Sequence, residues 1–194
     1  HGDFHMIVLA PASVQEMADM TAKGFDLADK YRMTCMLLAD GTMGQMMEPV
    51  EMPEMIDFKI DPEAKPWATT GWKPGDDPAK RAVINSLFIN TEDLTEHNNL
   101  LQATYREIEA NEVMYETYLT EDADIVITAF GTVARIAKSA VNELRAKGIK
   151  AGLLRPITLW PYPTDAIEQA LANGAKKFLS VELNMGQMVE DVRL

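Results

Sequence analysis

Asp40, in the stretch MLLADGTMGQMM, follows an apolar run and precedes a glycine, which places a carboxylate at the end of a strand. A Gly-Asp-Gly triplet with an asparagine some turns later is a magnesium–diphosphate arrangement, the Asp ligating the metal and the Asn completing its shell. Here Ala39 takes the place of the first glycine, and no Asn occurs between Asp40 and Asn85. The reading of Asp40 is therefore a strand-end turn. Gly131-Thr132 stands between an apolar run and a helical pattern. Free N–H groups at such a strand-to-helix turn can receive an anion or form part of an interface, although a glycine there also serves the tight turn alone. Glu182, Asn184 and Gln187 gather just beyond another apolar run, at the carboxyl end of a strand, where open α/β sheets present functional groups. Helix capping and loop hydrogen bonding account for those three equally well.

Other chemistry is sparse. His1, His5 and His97 do not make a metal-binding set, and no metal site is expected. Cys35, the one cysteine, lies in the apolar stretch MTCMLLAD and reads as a small packed thiol, with no internal disulfide available. The motifs G-x-S-x-G, G-x-x-x-x-G-K-[ST] and G-x-G-x-x-G are absent, so the common nucleophile and phosphate fingerprints are missing. With 18 Lys and Arg against 30 Asp and Glu, the net charge of -12 repels a phosphate backbone and argues against nucleic acid as a partner. No apolar run approaches the roughly 20 residues of a membrane span, and the first residues lack the pattern of a signal peptide. A cytoplasmic location is expected.

The elements that must position these residues follow an α/β rhythm. Residues 6–10 (MIVLA) read as a buried strand. Ser13-x-x-Glu16 is a capping box for the next helix, in which Val14, Met17, Ala18, Phe25, Ala28 and Tyr31 form an apolar stripe. Residues 33–39 supply a second strand, parallel to the first. From Glu48 to Pro78 six prolines recur and no period survives, so this stretch reads as a connector whose Trp67 and Trp72 pack against a neighbour. In TEDLTEHNNLLQATYREIEANEVMYETYL, Leu94, Leu101, Tyr105, Ile108, Tyr115 and Leu119 predict one long amphipathic helix, with Glu92 and Asp93 at its positive end. Residues 125–130 are a strand, and Val133, Ile136, Ala137, Ala140, Val141 and Leu144 the inner face of a helix closed by Gly148. Residues 149–154, PTDAIEQALANG and 177–181 add a strand, a helix and a strand, and Gly186 opens a final helix. The thirteen Met suit packing, including packing between subunits.

Four stretches in order, HGDFHMIVLAPASVQEM, FDLADKYRMTCMLLADGTMGQMMEPV, GTVARIAKSAVNELRAKGIKAGLLRPITLWPYP and SVELNMGQMVEDVRL, resemble the alpha subunit of 2-oxoacid:ferredoxin oxidoreductases. The likeness covers almost the whole chain outside the connector. It is nearest to the 2-oxoisovalerate (branched-chain) type, with the 2-oxoglutarate enzyme second. The resemblance implies an α/β fold: residues 1–48 the end of a thiamine-diphosphate pyrimidine-binding domain, 49–90 a Pro-rich connector, and 91–194 a linker helix with a transketolase C-terminal-like parallel-sheet domain. It implies decarboxylation of a 2-oxoacid on thiamine diphosphate with magnesium, electron transfer through iron–sulfur clusters on partner subunits to ferredoxin, and acyl transfer to coenzyme A. Beta and gamma subunits, and a delta subunit in some arrangements, are the implied partners.

The family's activating glutamate and substrate-contacting Thr-Arg segment have no counterpart in these residues, so no catalytic residue is assigned. The chain is accordingly expected to be an internal fragment lacking both ends, inactive alone and binding no cofactor by itself. By the same resemblance His1, Gly2 and Asp3 lie close behind the substrate's direct contacts, unless they are ordinary turn residues before the first strand. A stand-alone interaction module is the competing reading, favoured by the absence of residues that would touch substrate.

Overall fold

The computed structural model describes residues 4–55, 64–78 and 81–194. His1, Gly2 and Asp3 lie outside the described residues. The chain divides into two compact units, His1–Met52 with Thr104–Leu194, and Pro53–Ala103.

The larger unit holds two sheets. The first has the order β2-β1-β6, in which β1 (Ile7–Leu9) pairs parallel with β2 (Cys35–Leu37) and antiparallel with β6 (Thr158–Trp160). Helix α1 (Val14–Tyr31) makes the parallel crossover, and its start is fixed by the Ser13 hydroxyl, which accepts the N–H of Glu16 at 3.1 Å. The reciprocal arm of the expected capping box shifts by one residue: the Glu16 carboxylate accepts the N–H of Ala12, at 2.7 Å. The buried stripe of α1 is Met20, Leu27 and Tyr31, which pack on Ile7, Leu9 and Ile108. Phe25, expected on the inner face, is 74% exposed. The helix carries two apolar arcs, and the sheet selects the one whose side chains reach Ile7 and Leu9. Each such large side chain stabilises by about 1.5–3 kcal/mol when fully buried.

The second sheet has the order β3-β5-β4-β7. Strand β4 (Ile125–Thr128) pairs parallel with β5 (Ala151–Pro156) on one side and with β7 (Lys177–Ser180) on the other, giving the parallel core that the α/β rhythm predicts. Helices α3 (Gly131–Ala146) and α4 (Thr164–Ala172) cover it. Ala134, Ala137 and Val141 of α3 pack with Ile127 and Leu153, whereas Ala166, Ile167 and Ala170 of α4 pack with Val126 and Leu154. Side chains of β4 and β5 therefore alternate between two helical layers, and β5 is buried at every position. On α3 the inner face turns toward Ala134; Ile136 is 65% exposed and Ala140 also faces outward.

The long helix ends early. Helix α2 runs Thr91–Asn111, and Tyr115–Tyr118 forms β3, the antiparallel edge of the second sheet, so Tyr115 and Leu119 leave the helical stripe. YETY alternates tyrosine with polar residues, a pattern suited to a half-exposed edge, and the unpaired side of β5 gives it a ladder that outweighs continued helix. Strand β6 was not foreshadowed either. The four residues between Pro156 and Pro161 carry little periodic signal, and three of them become a strand only because β1 supplies the partner.

The smaller unit, among its described residues, follows loops and turns until α2 begins. The Arg81 guanidinium lies 5.4 Å from the centre of the Trp72 ring, and Phe88 stacks on His97 at 4.5 Å.

Candidate functional site

Within the larger unit, the ends of β2, β4 and β7 open on one cleft of about 700 Å³. Asp40 follows β2, Phe130 and Gly131 follow β4, and Glu182, Asn184 and Gln187 follow β7, and all six line the cleft. Asp40 and two of the sequence's polar groups, set apart by up to 147 positions, thus meet at the carboxyl ends of parallel strands, where open α/β folds bind ligands. Thr132 itself lies beside the cleft, next to Gly131.

Two of the carboxylates at the site, Asp40 and Glu182, are already engaged by backbone. Asp40 Oδ2 accepts the N–H of Thr132 at 3.0 Å, and Oδ1 accepts the N–H of Met43 at 2.9 Å. The start of α3 therefore receives an internal anion, the side chain of Asp40. Gly131 sits at φ +60°, and a Cβ there would come within 3.2 Å of Asp40 Oδ2, so glycine serves both the turn and the close approach. Burial alone would push Asp40 up; contacts from Thr132 and the N–H groups of Met43 and Thr42 outweigh it and hold the carboxyl below its ordinary value. Asp40 thus does more than turn the chain.

Glu182 closes the loop that leads to α5 (Met188–Arg193). Its Oε2 accepts the N–H groups of Gln187 and Met188, at 3.0 and 2.8 Å, while Oε1 accepts that of Val189 and the hydroxyl of Ser180, each at 3.0 Å. Burial pushes this carboxyl up, and the backbone donors more than reverse it, so it too is held low. Asn184 accepts the N–H of Gly186 at 2.7 Å, an Asx-type loop bond. The geometry of Glu182 and Asn184 is that of caps and loop bonds.

Away from the cleft lining, Arg155 of β5 ties the second sheet to α1, which packs on the first. It is 5% exposed, pairs with both carboxylate oxygens of Glu16, reaches Glu116 at 3.3 Å, and had no signal in the sequence beyond a lone cation inside a buried strand. Glu48 adds a second tie, accepting the N–H of Val14 at 3.1 Å and pairing with Arg135 of α3 at 2.8 Å. His5 stacks on Trp160 with centroids 4.9 Å apart and meets the edge of Tyr105 at 5.0 Å. Cys35 is partly buried on β2 and burial raises its thiol.

Comparison with known proteins adds the decisive observation: residues 2–117 match the model of the pyruvate flavodoxin/ferredoxin oxidoreductase, thiamine diphosphate-binding family. The chain belongs to that family. Residues 123–194 match a second model, core domain II of pyruvate:ferredoxin oxidoreductase. Over its full length the chain is 46% identical to the ketoisovalerate oxidoreductase subunit VorB of Methanothermobacter thermautotrophicus and 47% identical to that of Methanothermobacter marburgensis, spanning 53% of each. It is 30% identical to the 2-oxoglutarate synthase subunit KorA of Methanothermobacter marburgensis, of which it spans 56%. The chain thus covers about half the length of these curated relatives. Among solved structures, a 2-oxoglutarate:ferredoxin oxidoreductase from Magnetococcus marinus, with 2-oxoglutarate, coenzyme A and succinyl-CoA bound, matches all of the chain and 38% of its own at TM-score 0.69 and 22% identity, a likeness of fold.

The family description prompts a test of the cleft against thiamine diphosphate. Three carboxylates, Asp40, Glu182 and Asp191, line it and no Lys, Arg or His does. Among the described residues no group of three or more His, Cys, Asp or Glu is arranged to hold a metal ion. A diphosphate meets like charge here, without the cation that would bridge it, so these residues do not fit the cofactor's charged end.

Proposed function

We propose that this chain is part of the alpha subunit of a 2-oxoacid:ferredoxin oxidoreductase acting on 2-oxoisovalerate, converting it oxidatively to its acyl-CoA with reduction of ferredoxin. The identity of 46–47% to two ketoisovalerate oxidoreductase subunits, against 30% to a 2-oxoglutarate synthase subunit, carries the choice of substrate. Thiamine diphosphate with magnesium belongs to the assembled enzyme, held by residues other than those lining the cleft, and the iron–sulfur clusters belong to partner subunits. The domain reading places residues 1–48 in the pyrimidine-binding domain, 49–90 in a connector packed on a neighbour, and 91–194 in the transketolase C-terminal-like domain. Thiamine supplies an electron sink at which a 2-oxoacid loses carbon dioxide. The residues described here support that chemistry by position: Asp40, Gly131 and Thr132 fix one strand-end loop against α3, and Glu182, Asn184 and Gln187 shape another. His1, Gly2 and Asp3 are assigned behind the substrate's contacts, and the complex is assigned to the cytoplasm. Among the described residues no helix is long and apolar enough to cross a membrane.

The test is reconstitution. The full-length subunit, combined with beta and gamma subunits, is expected to reduce an electron acceptor in a 2-oxoacid-dependent reaction with a larger kcat/KM for 2-oxoisovalerate than for 2-oxoglutarate. The reverse preference would make it the 2-oxoglutarate enzyme, and no turnover with any 2-oxoacid would leave an interaction module.

A further inference from the structure

In a chain with 30 acidic and 18 basic side chains, a hollow whose charged lining is all cationic runs against composition. The smaller unit holds one. It encloses about 630 Å³ and is built from one stretch, residues 65–82, in which Lys65, Thr69, Thr70, Trp72 and Arg81 supply the functional groups. Among the described residues no Asp or Glu lines it. That volume falls within the range of small-molecule sites. A concave surface lined by one sign of charge concentrates ions of the other sign.

Arg81 is the group best placed to receive such an ion. Its guanidinium lies 5.4 Å from the centre of the Trp72 ring, a cation–π contact that occupies one face of the fork and leaves its N–H edge for other partners. Among the described residues no carboxylate pairs with it. Asp76, in the same stretch, turns its carboxylate onto the N–H of Lys73 at 2.7 Å instead. Trp72 keeps 43% of its surface exposed. Gly71, at φ +96°, makes the bend between Thr70 and Trp72 that a side chain would strain. A stacked guanidinium, an ammonium and two hydroxyls are all donors to oxygen. They complement a multiply charged oxyanion, and phosphate most closely, because its oxygens take a bidentate pair from Arg and still accept from the other groups.

We propose that this hollow binds a phosphate-bearing small molecule, with Arg81 as its main contact and Lys65, Thr69 and Thr70 around it. The proposal does not depend on the oxidoreductase reading. The exposed indole offers a flat ring on the ligand a surface to lie against, so a nucleotide gains over bare phosphate.

The test uses the full-length subunit, alone and assembled with its partner subunits, titrated by calorimetry at fixed ionic strength with inorganic pyrophosphate and, separately, ADP. Wild type is expected to bind both probes in both states, ADP the more tightly. Equal affinity would confine recognition to the phosphates and still support the site. Arg81→Ala is expected to weaken pyrophosphate binding by about tenfold, and Arg81→Lys by less, since it keeps the charge and loses the fork. Lys147→Ala, which removes an exposed cation outside the hollow, is expected to bind as wild type does. Phenylglyoxal is expected to modify Arg81, as read by peptide mass mapping, and ADP to slow that modification. The proposal is overturned by a wild type that binds neither probe, by Arg81→Ala binding pyrophosphate as wild type does, or by an equal loss in Lys147→Ala, which would reduce the effect to overall charge. It is overturned as well if Arg81 is unreactive before any probe is added, because another part of the protein then already covers the hollow.

Discussion

The carboxylate of Asp40 and the backbone N–H of Thr132, 92 positions apart, meet at 3.0 Å, so that the loop after one parallel strand caps the helix after another. This contact joins the two sheets of the larger unit at the rim of the cleft. It converts a feature that resembles half of a metal motif into a structural clamp.

If Asp40 caps α3, its removal is felt as a lost helix cap. Asp40→Ala is expected to lower stability by about 1–2 kcal/mol in urea unfolding, with Asp40→Asn milder because the amide oxygen still accepts. Gly131→Ala is expected to lower it as well, since the new methyl strains φ +60° and crowds the same oxygen.

Glu182 is expected to hold the start of α5 by its hydrogen bonds. Glu182→Leu removes every acceptor, and amide hydrogen exchange at Met188 and Val189 is expected to accelerate by about tenfold, while exchange within β4 stays unchanged. Equal acceleration in both places would mean that Glu182 supports the whole unit.

Arg155 and Glu16 form a partly buried pair, and breaking it leaves one charge stranded. Arg155→Ala is expected to cost about 3–5 kcal/mol, and the double variant Arg155→Met with Glu16→Gln substantially less, because it removes both charges together. Urea denaturation of Arg155→Met, Glu16→Gln and the double variant that combines them measures the coupling.

Gly152 lies in β5 where a Cβ would come 2.6 Å from the carbonyl oxygen of Leu119, a backbone atom that cannot swing aside. Gly152→Ala is expected to destabilise by about 1–3 kcal/mol through forced displacement of the β3 end. A melting temperature equal to wild type would show that the chain there yields freely.

Acid should act with a definite sign. Asp40, Glu182 and Glu112 are held below their ordinary values; against burial, which raises each, the first two are held by neighbouring donors and Glu112 by Lys30 and Tyr31. Their stabilisation is present above the unfolded carboxyl range, about pH 4, and is lost as pH falls through the lower folded values. Asp191 is raised and works in the opposite sense, costing stability at neutral pH and returning it as the group protonates. Unfolding free energy is therefore expected to fall below about pH 4 in the wild type. Asp191→Asn should be the more stable protein at pH 7, with the gap closing on acidification.

Much of this architecture is legible in the residues themselves. The buried run 125–128, the helix opened by Ser13 and the parallel rhythm of strand and helix follow from local periodicity and capping, which need only neighbouring residues. The strand ends that carry Asp40, Gly131 and Glu182 are marked the same way, as polar residues or glycine just past an apolar run. What these groups do is not local. Whether Asp40 binds a metal or caps a helix depends on where Thr132 arrives, and whether 115–118 continues a helix or becomes an edge depends on a partner strand 38 or so positions later. The phase of α1, with Phe25 outward and Leu27 inward, is likewise chosen by the sheet beneath it. Periodicity fixes which elements form, because hydrogen bonds and burial patterns within an element repeat along the chain. Only the packed structure decides which donors each carboxylate finds, as Asp40 finds Thr132, because that depends on contacts between residues far apart in sequence.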